Sequence, residues 1–135
     1  MNCKNITSIV IPDGVTNIDY GVFYNCRSLS SVTIPDTVEI ADVFSFYGCD
    51  SLITVKLPES VMMIDYRSFD GCENLMSIVI ENPECYINDE SETIFSNTII
   101  YGYKGSTAEA YAEKYNREFM PLDKNPNGYI IDKGV

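Results

Sequence analysis

The chain has 135 residues, enough for one domain with a real core. It carries 9 Lys+Arg against 20 Asp+Glu, a formal net charge of -11, and neither His nor Trp. This balance argues against nucleic acid, whose recognition needs clustered Lys and Arg, and against anionic membrane surfaces.

No apolar run approaches the length of a membrane span, and no signal-peptide pattern opens the chain. Met1-Asn2-Cys3 already falls inside a repeat, so the chain is expected to be a piece of a longer protein. The repeat shows in three stretches: "YNCRSLSSVTIPDTV" from Tyr24, "YGCDSLITVKLPESV" from Tyr47 and "DGCENLMSIVI" from Asp70. With a period of 23, Cys3, Cys26, Cys49 and Cys72 share a column, and Phe23, Phe46 and Phe69 share another. Pro12, Pro35 and Pro58 align, as do Leu29, Leu52 and Leu75 with Ile6. Such agreement is the signature of a solenoid whose units bury their apolar faces only by stacking.

Within a unit, a short strand such as Val32-Thr33-Ile34 alternates inward and outward, and the following proline ends it. A second extended piece carries Val38 inward, and Phe46, Cys49 and Leu52, three apart, suit a tight turn or two on the far side. The predicted repeats are 6–28, 29–51, 52–74 and a degenerate 75–97, in which Glu92 and Phe95 stand where Phe and Cys are expected. Residues 98–122 read as a C-terminal cap. Thr98 to Tyr103 forms a strand, and a Ser106/Glu109 capping box opens a helix from Thr107 to Tyr115. Ala108, Tyr111, Ala112 and Tyr115 give that helix its apolar stripe, and Phe119-Met120 returns as a strand. The tail, 123–135, reads as a linker or loose end. No matching cap stands at the N-terminus, so the first repeat is expected to pack on another copy or on further repeats.

The pattern L-x-x-V-x-I-P-x-x-V-x-x-I-x-x-x-x-F-x-x-C-x-x-L resembles the BspA-type leucine-rich repeat, the 23-residue class also found in treponemal proteins. The resemblance spans about Cys3 to Ile87. It implies an α/β solenoid: a right-handed superhelix of short parallel strands, one turn or short helix per repeat, and a strand-helix-strand cap. The family often has Gly-x-x-Ala before the Phe. Here those columns read Asp19 and Val22, Asp42 and Ser45, and Asp65 and Ser68, while Ala41 replaces a branched residue.

Among candidate sites, the cysteine column falls on the inward face. Parallel side chains do not readily cross into a disulfide and a row offers zinc no tetrahedron, so buried free thiols are expected and no metal. Cys85 lies outside the column, partly exposed, with its role open. Asp19, Asp42 and Asp65 form a column that either caps local turns, the favoured reading, or relieves its repulsion by holding calcium. The outward strand residues, Ser8, Val10, Ser31, Thr33, Thr54, Lys56, Ser77 and Val79, are the expected ligand-binding face. Tyr20, Tyr24, Tyr47 and Tyr66 gather near the turns, as edge packing or as rings for a partner or sugar. "GYKGS" at Gly102 to Ser106 lacks P-loop spacing, and turn plus cap explains it. With no His, no nucleophile elbow and no dinucleotide turn, no catalytic residue and no cofactor are assigned.

The resemblance implies a protein-binding, adhesion-type module of a secreted or cell-surface protein, non-catalytic, with a host extracellular or microbial surface protein as ligand; the uncapped N-terminal repeat adds self-association as an expectation. The alternatives are a structural spacer presenting a neighbouring domain and, less favoured, a carbohydrate-binding or enzymatic accessory module.

Overall fold

The computed structural model describes residues 3–124 and 130–132. The chain winds through about five coils, of which the first four each give a first and a second short strand and the fifth a first strand only. The first strands are β1 (Ser8–Val10), β3 (Ser31–Thr33), β5 (Thr54–Leu57), β7 (Ser77–Ile80) and β9 (Ile99–Tyr103). The second strands are β2 (Asn17–Ile18), β4 (Ile40–Ala41), β6 (Met63–Ile64) and β8 (Tyr86–Ile87). All of these pair in parallel, and the 23-residue period sets the register: Ile9 lies beside Val32, Val55 beside Ile78, and Ile64 beside Ile87. The second ladder runs unbroken as β2-β4-β6-β8. The first divides into β1-β3 and the sheet β5-β7-β9, with no strand pairing between β3 and β5.

The third side of each coil is built of turns rather than helix. Cys26, Cys49 and Leu75 donate backbone N–H bonds to carbonyls three residues back, while Asn25, Phe44, Gly48, Arg67 and Gly71 take left-handed φ values that break any helical run. The residues between donate to the next coil instead: Phe23 to Ser45, Asn25 to Tyr47, Phe46 to Ser68 and Gly48 to Asp70. Neighbouring coils are thus bonded on the turn side and along both ladders, except where β3 and β5 part, which leaves few buried peptide groups to satisfy otherwise.

Inside, equivalent residues form rows. Phe23, Phe46 and Phe69 stack with centroids 5.2 and 5.1 Å apart. Beside them lie Leu29, Leu52 and Leu75, Val38 and Val61, and the row Ile18, Ala41, Ile64 and Ile87. Each fully buried Phe or Leu is worth roughly 1.5–3 kcal/mol in transfer terms. Ala41 is wholly buried, so the unusual residue keeps its row.

The fourth coil loses the period and recovers it. Cys85, expected to be partly exposed, is buried and takes the place of Val61 in the turn, its N–H bonded to Asn82 O as Val61 N–H is to Pro58 O. Ile94, not Glu92, bridges to Phe69, and β7 pairs with β9 at a spacing of 22, Ser77 beside Ile99. The apolar residue wins the core position, and the loop of Asn88 to Thr93 absorbs the extra length.

The cap is α1 (Thr107–Lys114), followed by β10 (Phe119–Lys124) laid parallel on β9. Ser106 Oγ accepts from Glu109 N–H at 3.2 Å and Glu109 Oε1 from Gly105 N–H at 2.8 Å, closing the capping box. Ala108, Tyr111 and Ala112 are buried beneath α1. Gly102 is the core position of β9 under the helix, where a Cβ would come within 2.9 Å of Ala108 Cβ. The tail departs from a loose end: Asp123 and Lys124 continue β10, and β11 (Ile130–Asp132) pairs antiparallel with it. The apolar pair Ile130-Ile131 suits an added strand better than a linker. Residues 125–129 and 133–135 of that expected linker lie outside the described residues.

Candidate functional site

The outward face of the first ladder brings the sequence candidates into line. Ser8 sits beside Ser31, Val10 beside Thr33, Thr54 beside Ser77, and Lys56 beside Val79. Six of the eight are exposed and Ser77 and Val79 half-buried. The Thr54 and Ser77 hydroxyls share a 2.9 Å hydrogen bond, and Lys56 Nζ stands 3.8 Å from Glu81. A recess of about 320 Å³, lined by Val32, Thr33, Asp36, Lys56, Pro58 and Glu81, opens where β3 and β5 part.

The face continues past the residues that alternation picked. Ile99 follows Ser77, and Tyr101 then Met120 follow Val79, all half-buried. The surface therefore changes along the ladder, from small hydroxyls to apolar and aromatic side chains. Carrying the alternation through Thr98 into the cap strand would have found these residues.

On the turn side the tyrosines meet around a residue that the sequence reading passed over. Phe44 packs edge-on to Tyr20, Tyr24 and Tyr47 at 5.9, 6.1 and 5.4 Å, and tilted to Tyr66 at 5.7 Å. Tyr24 and Tyr47 stack at 4.9 Å. Phe44 adopts φ 56, as does Arg67 φ 50, in a row begun by Gly21 at φ 60. A left-handed conformation costs a residue with a side chain about 1–2 kcal/mol, which the ring contacts offset.

The cysteine column is not uniform. Cys3 and Cys26 form a disulfide, with Cα atoms 5.1 Å apart. This corrects the expectation of free thiols throughout: one step of the stack falls within disulfide reach, and parallel projection does not prevent the bond. Cys49 and Cys72 remain buried thiols, donating to Phe23 O at 3.2 Å and Phe46 O at 3.1 Å in the preceding coils. Burial pushes the Cys49 and Cys85 thiols up to about 12 and raises Cys72 as well. None is poised as a thiolate nucleophile.

A family model for the BspA type leucine rich repeat region, in 6 copies, matches residues 1–106. The chain belongs to the BspA-type leucine-rich repeat family. No curated protein and no solved structure matches it. BspA-type repeats are typical of surface and secreted proteins, are often protein-binding and are generally non-enzymatic. No described helix of this BspA-type chain is long and apolar enough to cross a membrane.

The acids of these BspA-type coils bond within and between coils, Asp50 accepting from Arg27 of the preceding coil at 2.8 Å. Two acids of the column bond to their own turns: Asp42 Oδ1 accepts from Val43 N–H and Asp65 Oδ1 from Tyr66 N–H, each at 2.7 Å. Among the described residues no three Cys, Asp or Glu converge as a metal-holding group. At the cap, Asp89 accepts from Lys114 and Tyr115, each at 2.6 Å. These bonds hold its carboxyl below the usual range, and Asp89 in turn pushes the Tyr115 phenol up to about 12. In "GYKGS", the Gly105 N–H that an anion would want is already bonded to Glu109.

Proposed function

We propose that the chain is a non-catalytic, adhesion-type binding module of a secreted or cell-surface protein, recognising a protein ligand on the outward face of the first ladder. The observation that carries this reading is the continuity of that face from β5 to β10. Small hydroxyls around Thr54 and Ser77 lead into Val79, Ile99, Tyr101 and Met120, the aromatic and apolar kind of side chain that anchors interfaces. Its non-catalytic character is supported by the absence of His and by thiols whose acidity is suppressed by burial. The net charge of -11 speaks against nucleic acid as partner.

The test is an array of extracellular-matrix and microbial surface proteins probed with this chain and with a Tyr101→Ala/Met120→Ala variant. Saturable binding to one component, weakened at least about tenfold by the variant, is the expected outcome. Binding to no component would support the spacer reading instead. On the first coil the half-buried Ile9, Val15 and Val22 line a recess of about 270 Å³ above the buried Ile11, Ile18 and Phe23. We infer that it packs on a second copy or on further repeats of a longer protein; sedimentation decides, because an Ile9→Asp variant should move to lower mass only where a second copy covers the recess.

A further inference from the structure

The turn side of the third coil already holds a cation against an aromatic ring. Arg67 lays its guanidinium carbon 5.2 Å from the Tyr66 centroid, with Nη1 3.6 Å from Asp70. Its Nε is buried without a hydrogen-bond partner among the described residues, so the ring and the carboxylate hold the group. Two coils earlier the corresponding positions are Tyr20, Gly21 and Tyr24. Gly21 shares the left-handed backbone, φ 60, but has no side chain to lay over a ring. Tyr20 is accordingly 67% exposed and Tyr24 44%. Both rings are braced from behind, Tyr24 by the stacked Tyr47 and both by the edge contact of Phe44. Asp19, also exposed, precedes Tyr20 in the chain. The face of a tyrosine attracts cations, and a protein of net charge -11 draws them in from solution.

We propose that Tyr20 and Tyr24 form a docking site for the arginine side chains of a basic segment in a partner protein. The site takes from outside the group that Arg67 supplies from within two coils along. Arginine is preferred to lysine because its planar guanidinium stacks on a ring while keeping its donors free for a neighbouring carboxylate. Phe44 and Tyr47 are positioning residues: they fix the rings beforehand, so little freedom is lost on binding. The site lies on a different side of the coils from the outward strand face and does not rest on the reading of that face.

The experiment is calorimetric titration of the intact chain with a short peptide of alternating Arg and Gly, set against its citrulline twin, which keeps the shape and loses the charge. The Arg peptide should bind saturably, more weakly as salt rises, and the citrulline twin should not. Tyr20→Ala/Tyr24→Ala should weaken binding about tenfold or more. Gly21→Arg should do the same by filling the site with a cation of its own, and it should fold, because Arg67 already adopts that backbone conformation. Circular dichroism checks folding of both variants. Failure of the Arg peptide to bind, equal binding of the citrulline twin, or indifference of folded variants would overturn the proposal. So would binding of a neutral glucan oligosaccharide at these rings in place of the peptide.

Discussion

The coils up to Ile80 and the coil and cap beyond it hold themselves together differently. In the first region each coil repeats the contacts of the last, and rows such as Phe23, Phe46 and Phe69 need only the period to form. In the second region the period slips, and single residues take over. The buried Tyr111 hydroxyl donates to Glu90 O at 2.8 Å and accepts from Ile94 N–H at 3.2 Å. Arg117 donates to Ile94 O at 2.8 Å and Phe95 O at 3.0 Å, and also to Ser91 O. Thr98 and Thr107 reach back to Leu75 O and Cys85 O. Repetition spreads the holding energy over a row, whereas the end of an array concentrates it in a few polar side chains.

The largest expected effect breaks the regular region at its centre. Phe46→Ala removes the ring between Phe23 and Phe69 and should cost about 3–5 kcal/mol in urea unfolding. Reduction of Cys3–Cys26 should come next. The bond closes a loop at a separation of 23 residues, so its loss should cost about 3 kcal/mol. Thiol titration of the unfolded chain should find three thiols before reduction and five after. On the other side of the comparison, Tyr111→Phe should cost about 1–3 kcal/mol and speed exchange of the Ile94 amide, with little change at Val55 or Ile78. The smallest effect has the opposite sign. Ser45 and Ser68 stand in the column where the family carries Ala, wholly buried, and their hydroxyls have no hydrogen-bond partner among the described residues. Ser45→Ala and Ser68→Ala should each raise stability by about 1 kcal/mol, read as a higher urea midpoint.

The same division decides what the sequence made legible. The rows, the strand registers of the first three coils and the helix cap at Ser106 follow from periodicity and local chemistry, which a single sequence displays. The move of Cys85 into the valine row, the place of Ile94 and the spacing of 22 at Ile99 come from competition between loop length and burial, which only three dimensions resolve. The disulfide was misjudged because side-chain direction was weighed above the closeness of stacked coils. At the candidate sites, the outward face was found as far as Val79 but not into β9, where the period no longer pointed. Phe44 was missed because nothing in a column of Gly, Phe and Arg marks the left-handed turn that brings a ring among the tyrosines.

Equivalent side chains lie in contact across successive coils. Nuclear Overhauser contacts among assigned aromatic rings test this most directly. The ring protons of Phe46 should show cross-peaks to both Phe23 and Phe69, each 23 residues away. Cross-peaks from Phe46 confined to its own chain neighbours, in a folded sample, would contradict it.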